Sequence, residues 1–414
     1  MGMTLIEKII AAHSPDPVTP GAVVWIDLDI RSARDFAGAN VVGNFRKYYS
    51  GEKVADPART FFTFDCNVPA NTIPYANNQM RCREFAREQG IRVYDVDAGI
   101  GSHVMIDEGL ALPGSTIVGT DSHLNILGAV GSFGQGMGDQ DIAFAFRSGR
   151  TWFEVPESMR VIVNGTLPAS CSARDLTLAV VGRLGSKGAL GRAIEFSGTA
   201  VDALDLAGRI TLASMVTEMG GIVGLIQPDD AVLDYLVQRS GRTDLTVQAP
   251  DPDARYVETI EIDVSDLTPR IALPPKPDNV VAVADVGDVT VDSVFVGSCT
   301  NGRYEDFIAV ADIVRGKKVA PRVMARAVPA TREIYGRLLK EGILNDLYEA
   351  GFIVSNPGCG GCASGQIGMT GLNEVQVSTS NRNFKGKQGD GATYLAGPET
   401  AAASALAGKI VAAE

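Results

Sequence analysis

Strand-like and helix-like segments alternate along the whole chain, and this alternation predicts an α/β fold of layered sheets and helices. Its 414 residues exceed what one hydrophobic core usually organises, so two or three domains are expected. The segment 268–279, Thr-Pro-Arg-Ile-Ala-Leu-Pro-Pro-Lys-Pro-Asp-Asn, carries prolines that remove backbone donors and fix φ. It reads as an irregular linker into a last domain.

The individual elements follow from local pattern. Leu5 to Ala12 has the apolar spacing of an amphipathic helix, and Ala22 to Leu28 reads as a strand. Asn78 to Gln89 is expected to be helical, with strands at Arg92 to Val96 and Thr116 to Gly119. Farther along, Arg160 to Val163 reads as a short strand, Arg174 to Val181 as a helix and Val201 to Met219 as one longer helix. Two strand endings echo each other, Val118-Gly-Thr-Asp-Ser-His123 and Val296-Gly-Ser-Cys-Thr-Asn301. Both place polar side chains at the carboxyl end of an apolar run, where open α/β sheets bind ligands. Two similar domains facing one site, or chance similarity across six residues, would each account for the echo.

Composition narrows the function. A net charge of -12 argues against a nucleic-acid partner, because phosphate-backbone affinity comes from clustered Lys and Arg. No apolar run reaches the roughly 18 residues of a membrane span. The opening Met-Gly-Met-Thr-Leu-Ile-Glu-Lys has charge inside its apolar stretch, so a secretory signal is not expected and a cytoplasmic location is. Six cysteines in a chain of this size suggest metal or catalytic use more than disulfides.

Three of those cysteines are set apart by their surroundings. Cys359 and Cys362 lie in Pro357-Gly-Cys-Gly-Gly-Cys362, where glycines permit tight turns and expose amide N–H groups to sulfur or metal. Cys299 lies in the strand-ending Gly297-Ser-Cys-Thr-Asn-Gly-Arg303. Spacing alone leaves an iron–sulfur cluster, a zinc site completed by His103 or His123, and redox or structural cysteines all open. His123 follows Asp121 and Ser122 at a strand end, where the acid could fix one imidazole tautomer; His103 follows the flexible Gly99-Ile-Gly-Ser102. The alternative for each is an ordinary structural histidine. Arg382, in Ser378-Thr-Ser-Asn-Arg-Asn-Phe384, suits bidentate carboxylate recognition, or is surface charge. The glycines at 131, 134, 136 and 138 lack both the dinucleotide and the Walker spacing and read as close backbone packing.

Taken together, the motifs at 118–123, 297–303, 357–362 and 378–384 resemble the aconitase family. Within it they are most similar to the branch of 3-isopropylmalate dehydratase and homoaconitase-like large subunits. The resemblance runs from Leu5-Ile-Glu-Lys-Ile-Ile10 to Pro398-Glu-Thr-Ala-Ala-Ala-Ser404. It implies three α/β/α domains around a central cleft, with borders at 1–156, 157–267 and 280–414 and the linker 268–279 between the last two. It also implies a 4Fe–4S cluster on Cys299, Cys359 and Cys362, whose remaining iron takes a substrate hydroxyl and carboxylate. Asp121, Ser122 and His123 match an acid–base cluster, Glu218 a glutamate near the iron, and Asp65 an acid preceding a catalytic histidine. Asn381 and Arg382 match cluster-side and carboxylate-binding positions. The swivelling domain with its catalytic serine is expected on a separate small subunit. The implied activity is hydro-lyase chemistry on a small 2-hydroxy acid, 3-isopropylmalate or a nonstandard relative; the alternative is a cluster-binding regulatory or catalytically degenerate homologue.

Departures from the family pattern are specific. Cys66 stands where a histidine is usual, Ser102 precedes His103 where the histidine would fall one place earlier, Ser214 replaces an asparagine and Lys387 an arginine. His103 is a candidate replacement for one missing imidazole, and Lys387 a weaker carboxylate clamp.

Overall fold

The computed structural model describes residues 2–363 and 366–413. Its organisation rests on three sheets that are wholly or mainly parallel, the layered α/β arrangement predicted from the alternation of elements. The first sheet has the spatial order Arg92–Tyr94, Thr60–Thr63, Ile30–Arg34, Thr116–Gly119, Phe133–Gly136, all parallel. Chain order therefore reverses between Ile30–Arg34 and Thr116–Gly119. In open parallel sheets the crevice at such a reversal is where ligands bind.

The largest sheet repeats the device. Its order is Val280–Ala282, Arg270–Ala272, Ala392–Ala396, Val375–Ser378, Ser293–Gly297, Met324–Val328, Phe352–Val354. Chain order reverses between Val375–Ser378 and Ser293–Gly297, so the loops after those two strands leave from one crevice. The two echoing segments thus emerge at reversal points of different sheets. A four-stranded parallel sheet, Val223–Ile226, Ala193–Ser197, Ser158–Asn164 and Thr259–Asp263, and an antiparallel pair of Val23–Asp27 with Arg150–Glu154 complete the framework.

Local pattern located several elements well. The helix Leu5–Ala12 and the strand Thr116–Gly119 have the expected bounds. The helix expected from Asn78 begins at Ile73, because Thr72 Oγ1 accepts from Tyr75 N and Pro74 occupies the first turn, where its missing donor costs nothing. The 201–219 segment is not one helix. The Asp205 side chain accepts from Gly208 N at 2.8 Å and caps a new helix at Leu206–Ser214, which tightens into a 3₁₀ turn at Met215–Met219. Nor is 268–279 wholly irregular. Arg270–Ala272 lies between Pro269 and Pro274, so its donors are intact and it pairs antiparallel with both Ala392–Ala396 and Val280–Ala282. Among the described residues no helix is long and apolar enough to cross a membrane.

Candidate active site

A cavity of about 820 Å³ opens where these strand ends meet, lined by Arg34, Cys66, Tyr75, Asp121, Ser122, His123, Cys299, Cys359, Cys362 and Lys387 among others. Arg34 stands at its centre, at the end of strand Ile30–Arg34. Its Nε donates to Asp65 Oδ1 at 2.7 Å, Nη1 to Asp121 Oδ1 at 2.9 Å, and Nη2 to Cys359 Sγ. Burial opposes the guanidinium's charge, but Asp121, Asp65 and Cys359 outweigh it and raise its pKa further. Arg34 is the main functional candidate that sequence reasoning missed.

Asp65 is fully buried, and desolvation raises its carboxyl to about 6 in spite of Arg34. Its other oxygen accepts from Gly101 N at 2.8 Å. Behind it, buried Asp35 accepts from the backbone N–H groups of Asp65, Cys66 and Asn67. That carboxylate fixes the turn carrying Cys66.

His123 forms a second polar group. Asp121 Oδ1 accepts from His123 N at 3.0 Å, while His123 Nε2 lies 3.0 Å from Glu218 Oε1 and Nδ1 lies 3.2 Å from Ser122 Oγ. A carboxylate can only accept, so Nε2 carries the proton toward Glu218. Arg382 Nε donates to the same Glu218 oxygen at 2.6 Å. Desolvation acts to raise the Glu218 carboxyl, yet His123 and Arg382 prevail and hold it below the ordinary glutamate value.

The three motif cysteines reach the cavity on strained or glycine-dependent loops. Ser298, just before Cys299, has φ 75°, an uncommon conformation for a non-glycine residue. Gly360 has φ +55°, and a Cβ there would lie 2.5 Å from the Phe295 ring. Burial pushes the Cys299 and Cys362 thiols up, with neighbouring cysteine charges adding to it. Among the described residues, the metal-ligating atoms gathered to within 4.8 Å of one another belong to Asp65, Cys66 and Cys359. Sulfurs sharing one tetrahedral ion at ~2.3 Å would sit about 3.8 Å apart. The three motif cysteines form no such single-ion group, and a cluster in which each thiolate takes its own iron does not require one. A buried donor supports the fit to a cluster. Asn381 Nδ2 has no partner among the described residues, while its Oδ1 lies 3.2 Å from Cys299 Sγ. Arg34 and Lys387 supply positive charge beside Cys359 and Cys362.

His103 lies outside this lining. Its ring is fully buried and Nε2 donates to the Cys299 carbonyl at 2.9 Å, which makes it a support for the cysteine loop and puts it behind the cavity wall. Desolvation, then Arg303, lowers its pKa to about 4. A histidine with a depressed folded pKa contributes stability present above 6.5 and lost as pH falls toward 4. Urea unfolding should show the wild type losing on the order of 3 kcal/mol through this group over that window. His103→Gln should flatten that part of the pH profile. Ser214 is likewise buried, its Oγ donating to Thr211 O at 2.8 Å.

The whole chain matches known proteins. A family model described as "Aconitase family (aconitate hydratase)" matches residues 7–288 and 283–408. The 3-isopropylmalate dehydratase large subunit 1 of Methanopyrus kandleri is 42% identical over 413 residues, 99% of this chain and 98% of that protein. The homoaconitase large subunit of Thermus thermophilus is 42% identical over 420 residues, covering 100% and 98%. The crystal structure of Thermococcus kodakaraensis aconitase X in its holo-form shares the fold, with a TM-score of 0.51 at 14% identity, over 92% of this chain and 89% of that one. The resemblance carried by the four motifs holds from end to end, and the chain belongs to the aconitase family.

Proposed function

We propose that this chain is the large subunit of an iron–sulfur hydro-lyase that reversibly removes water from a small 2-hydroxy acid. The observation carrying the proposal is the convergence on one cavity of Cys299, Cys359 and Cys362 with the His123 side chain, which is held by Glu218, itself held by Arg382. The three cysteines would hold a 4Fe–4S cluster, which supplies a Lewis-acidic iron for the departing hydroxyl. Arg382 does not itself line the cavity and spends Nε on Glu218; its terminal nitrogens would be offered to a substrate carboxylate, with Lys387 as a point charge on the cavity wall. His123, in hydrogen-bond contact with Ser122 and Glu218, is placed to move a proton at the cavity edge.

Several of the relatives are named large subunits, which supports a small partner subunit; that it carries the swivelling domain and a catalytic serine is what the family resemblance implies. Phe36 and Phe384 remain exposed at the cavity mouth, and Ile73 is exposed beside its lining residue Thr72. An apolar rim of this kind suits a protein partner closing over the cavity. The names of the relatives make 3-isopropylmalate and homoaconitase-type hydroxy acids the first substrates to screen.

Anaerobic reconstitution should give about four irons per chain with visible iron–sulfur absorbance, and Cys359→Ser should lose that absorbance. With the small subunit present, a panel of hydroxy-diacids should yield an alkene product. A colourless, zinc-loaded protein would overturn the cluster assignment. An intact cluster without turnover on any substrate would favour a binding role.

A further inference from the structure

We propose that Cys66 is a redox partner of Cys359, joined to it in a reversible disulfide when the cluster site is empty of iron. The ligand atoms of Asp65, Cys66 and Cys359 all lie within 4.8 Å of one another. The Cys359 backbone N donates to the Asp65 carbonyl at 2.9 Å, which binds the two cysteine-bearing loops together. Gly358 lets them approach this closely, since a Cβ there would lie 3.0 Å from that same carbonyl. Asp35 clamps the Cys66 turn through three backbone N–H groups, so the pair is held in register. A bond of about 2.05 Å then requires the side chains to swing toward each other without unfolding either loop.

The oxidant is a peroxide, which reaches the sulfurs through the cavity that both cysteines line. Cys359 sulfur attacks a peroxide oxygen, the O–O bond breaks, and Cys359 becomes a sulfenic acid with release of water. Arg34 Nη2 faces the attacking sulfur. Cys66 sulfur then attacks the sulfenic sulfur, and the hydroxyl leaves with the Cys66 proton as a second water. Two thiols and one peroxide give one disulfide and two waters. The disulfide stops Cys359 short of the irreversible sulfinic state, and a dithiol restores both thiols. Its effect on iron loading rests on the cluster assignment above; the bond itself does not.

The test uses the full-length cluster-free chain, treated with hydrogen peroxide, alkylated, digested and mapped by mass spectrometry. Free thiols should fall from six to four, with a Cys66–Cys359 linked peptide that disappears after dithiothreitol. Oxidised wild type should lose iron uptake and regain it on reduction. Cys66→Ser should give no linked peptide, and its peroxide damage should not be reversed by dithiothreitol. Cys359 found joined to Cys362, or found as sulfinic acid beside a free Cys66, would overturn the proposal, and the wild-type map alone decides this. A linked Cys66–Cys359 pair in a chain that takes up no iron even when reduced would support the disulfide and count against the cluster assignment alone.

Discussion

Replacing Arg34 with Met should be among the most damaging single changes in this chain. One buried guanidinium reaches Asp65, Asp121 and Cys359, which lie 31, 87 and 325 residues away in sequence. Removing it leaves two buried carboxyl groups without their cation, and breaking a buried pair in this way costs about 3–5 kcal/mol. The cost should depend on pH with a definite sign. Both carboxyl groups would rise in pKa without Arg34, so the variant binds protons more readily when folded, and its deficit against wild type should shrink as pH falls. Asp65, already raised to about 6 by burial, should respond first. Urea unfolding of both proteins at pH 5 and pH 8 measures the difference. Arg34→Lys tests geometry apart from charge: an ammonium cannot reproduce the planar fork, so it should recover only part of the loss. An Arg34→Met protein as stable as wild type at pH 8 would show that the network does not hold the site.

Arg34 also marks the limit of what sequence reveals here. The cysteine motifs stood out because thiols are scarce and their flanking glycines have few other uses, and the layered α/β architecture followed from the alternation of elements, while the parallel order of its sheets did not. Arg34 sits in Ile30-Arg-Ser-Ala-Arg34, a strand buried on both faces with no polar–apolar alternation, so neither the strand nor the residue's role declared itself. Its partners are assembled by the fold, as are those of Glu218 and Arg382, which are 164 residues apart. His103 misled in the opposite direction. The glycines before it suggested a flexible loop and a candidate replacement for a missing catalytic imidazole, but Gly101–Asp107 is a buried helix that turns the ring toward the Cys299 carbonyl. At 268–279 the prolines were read as excluding a strand, although a three-residue run between them was enough to pair with two neighbours.

Glu218→Gln should separate proton handling from folding more cleanly than a change at any cysteine. One Glu218 oxygen receives both His123 Nε2–H and Arg382 Nε–H, so a single carboxylate orients together the imidazole proposed to move a proton and the guanidinium proposed to bind a substrate carboxylate. Glutamine keeps the length and one acceptor oxygen but loses the charge. The side chain is largely buried, so the loss is not screened by solvent, and about 1–3 kcal/mol of stability should go with the charge-assisted hydrogen bonds. Activity should suffer more. Misplacing a general acid–base group typically costs 10²–10⁴-fold, so kcat should fall by about that factor while the visible absorbance of the reconstituted cluster is retained. The pH dependence of stability supplies an independent check. Because the Glu218 carboxyl is held below its ordinary value, its contribution is fully present above that value and disappears as pH falls through the lowered one. Wild type should therefore lose this increment in acid, while Glu218→Gln, having nothing to protonate, should not. A variant with unchanged kcat and an unchanged acid limb would mean that His123 and Arg382 find their orientation without Glu218.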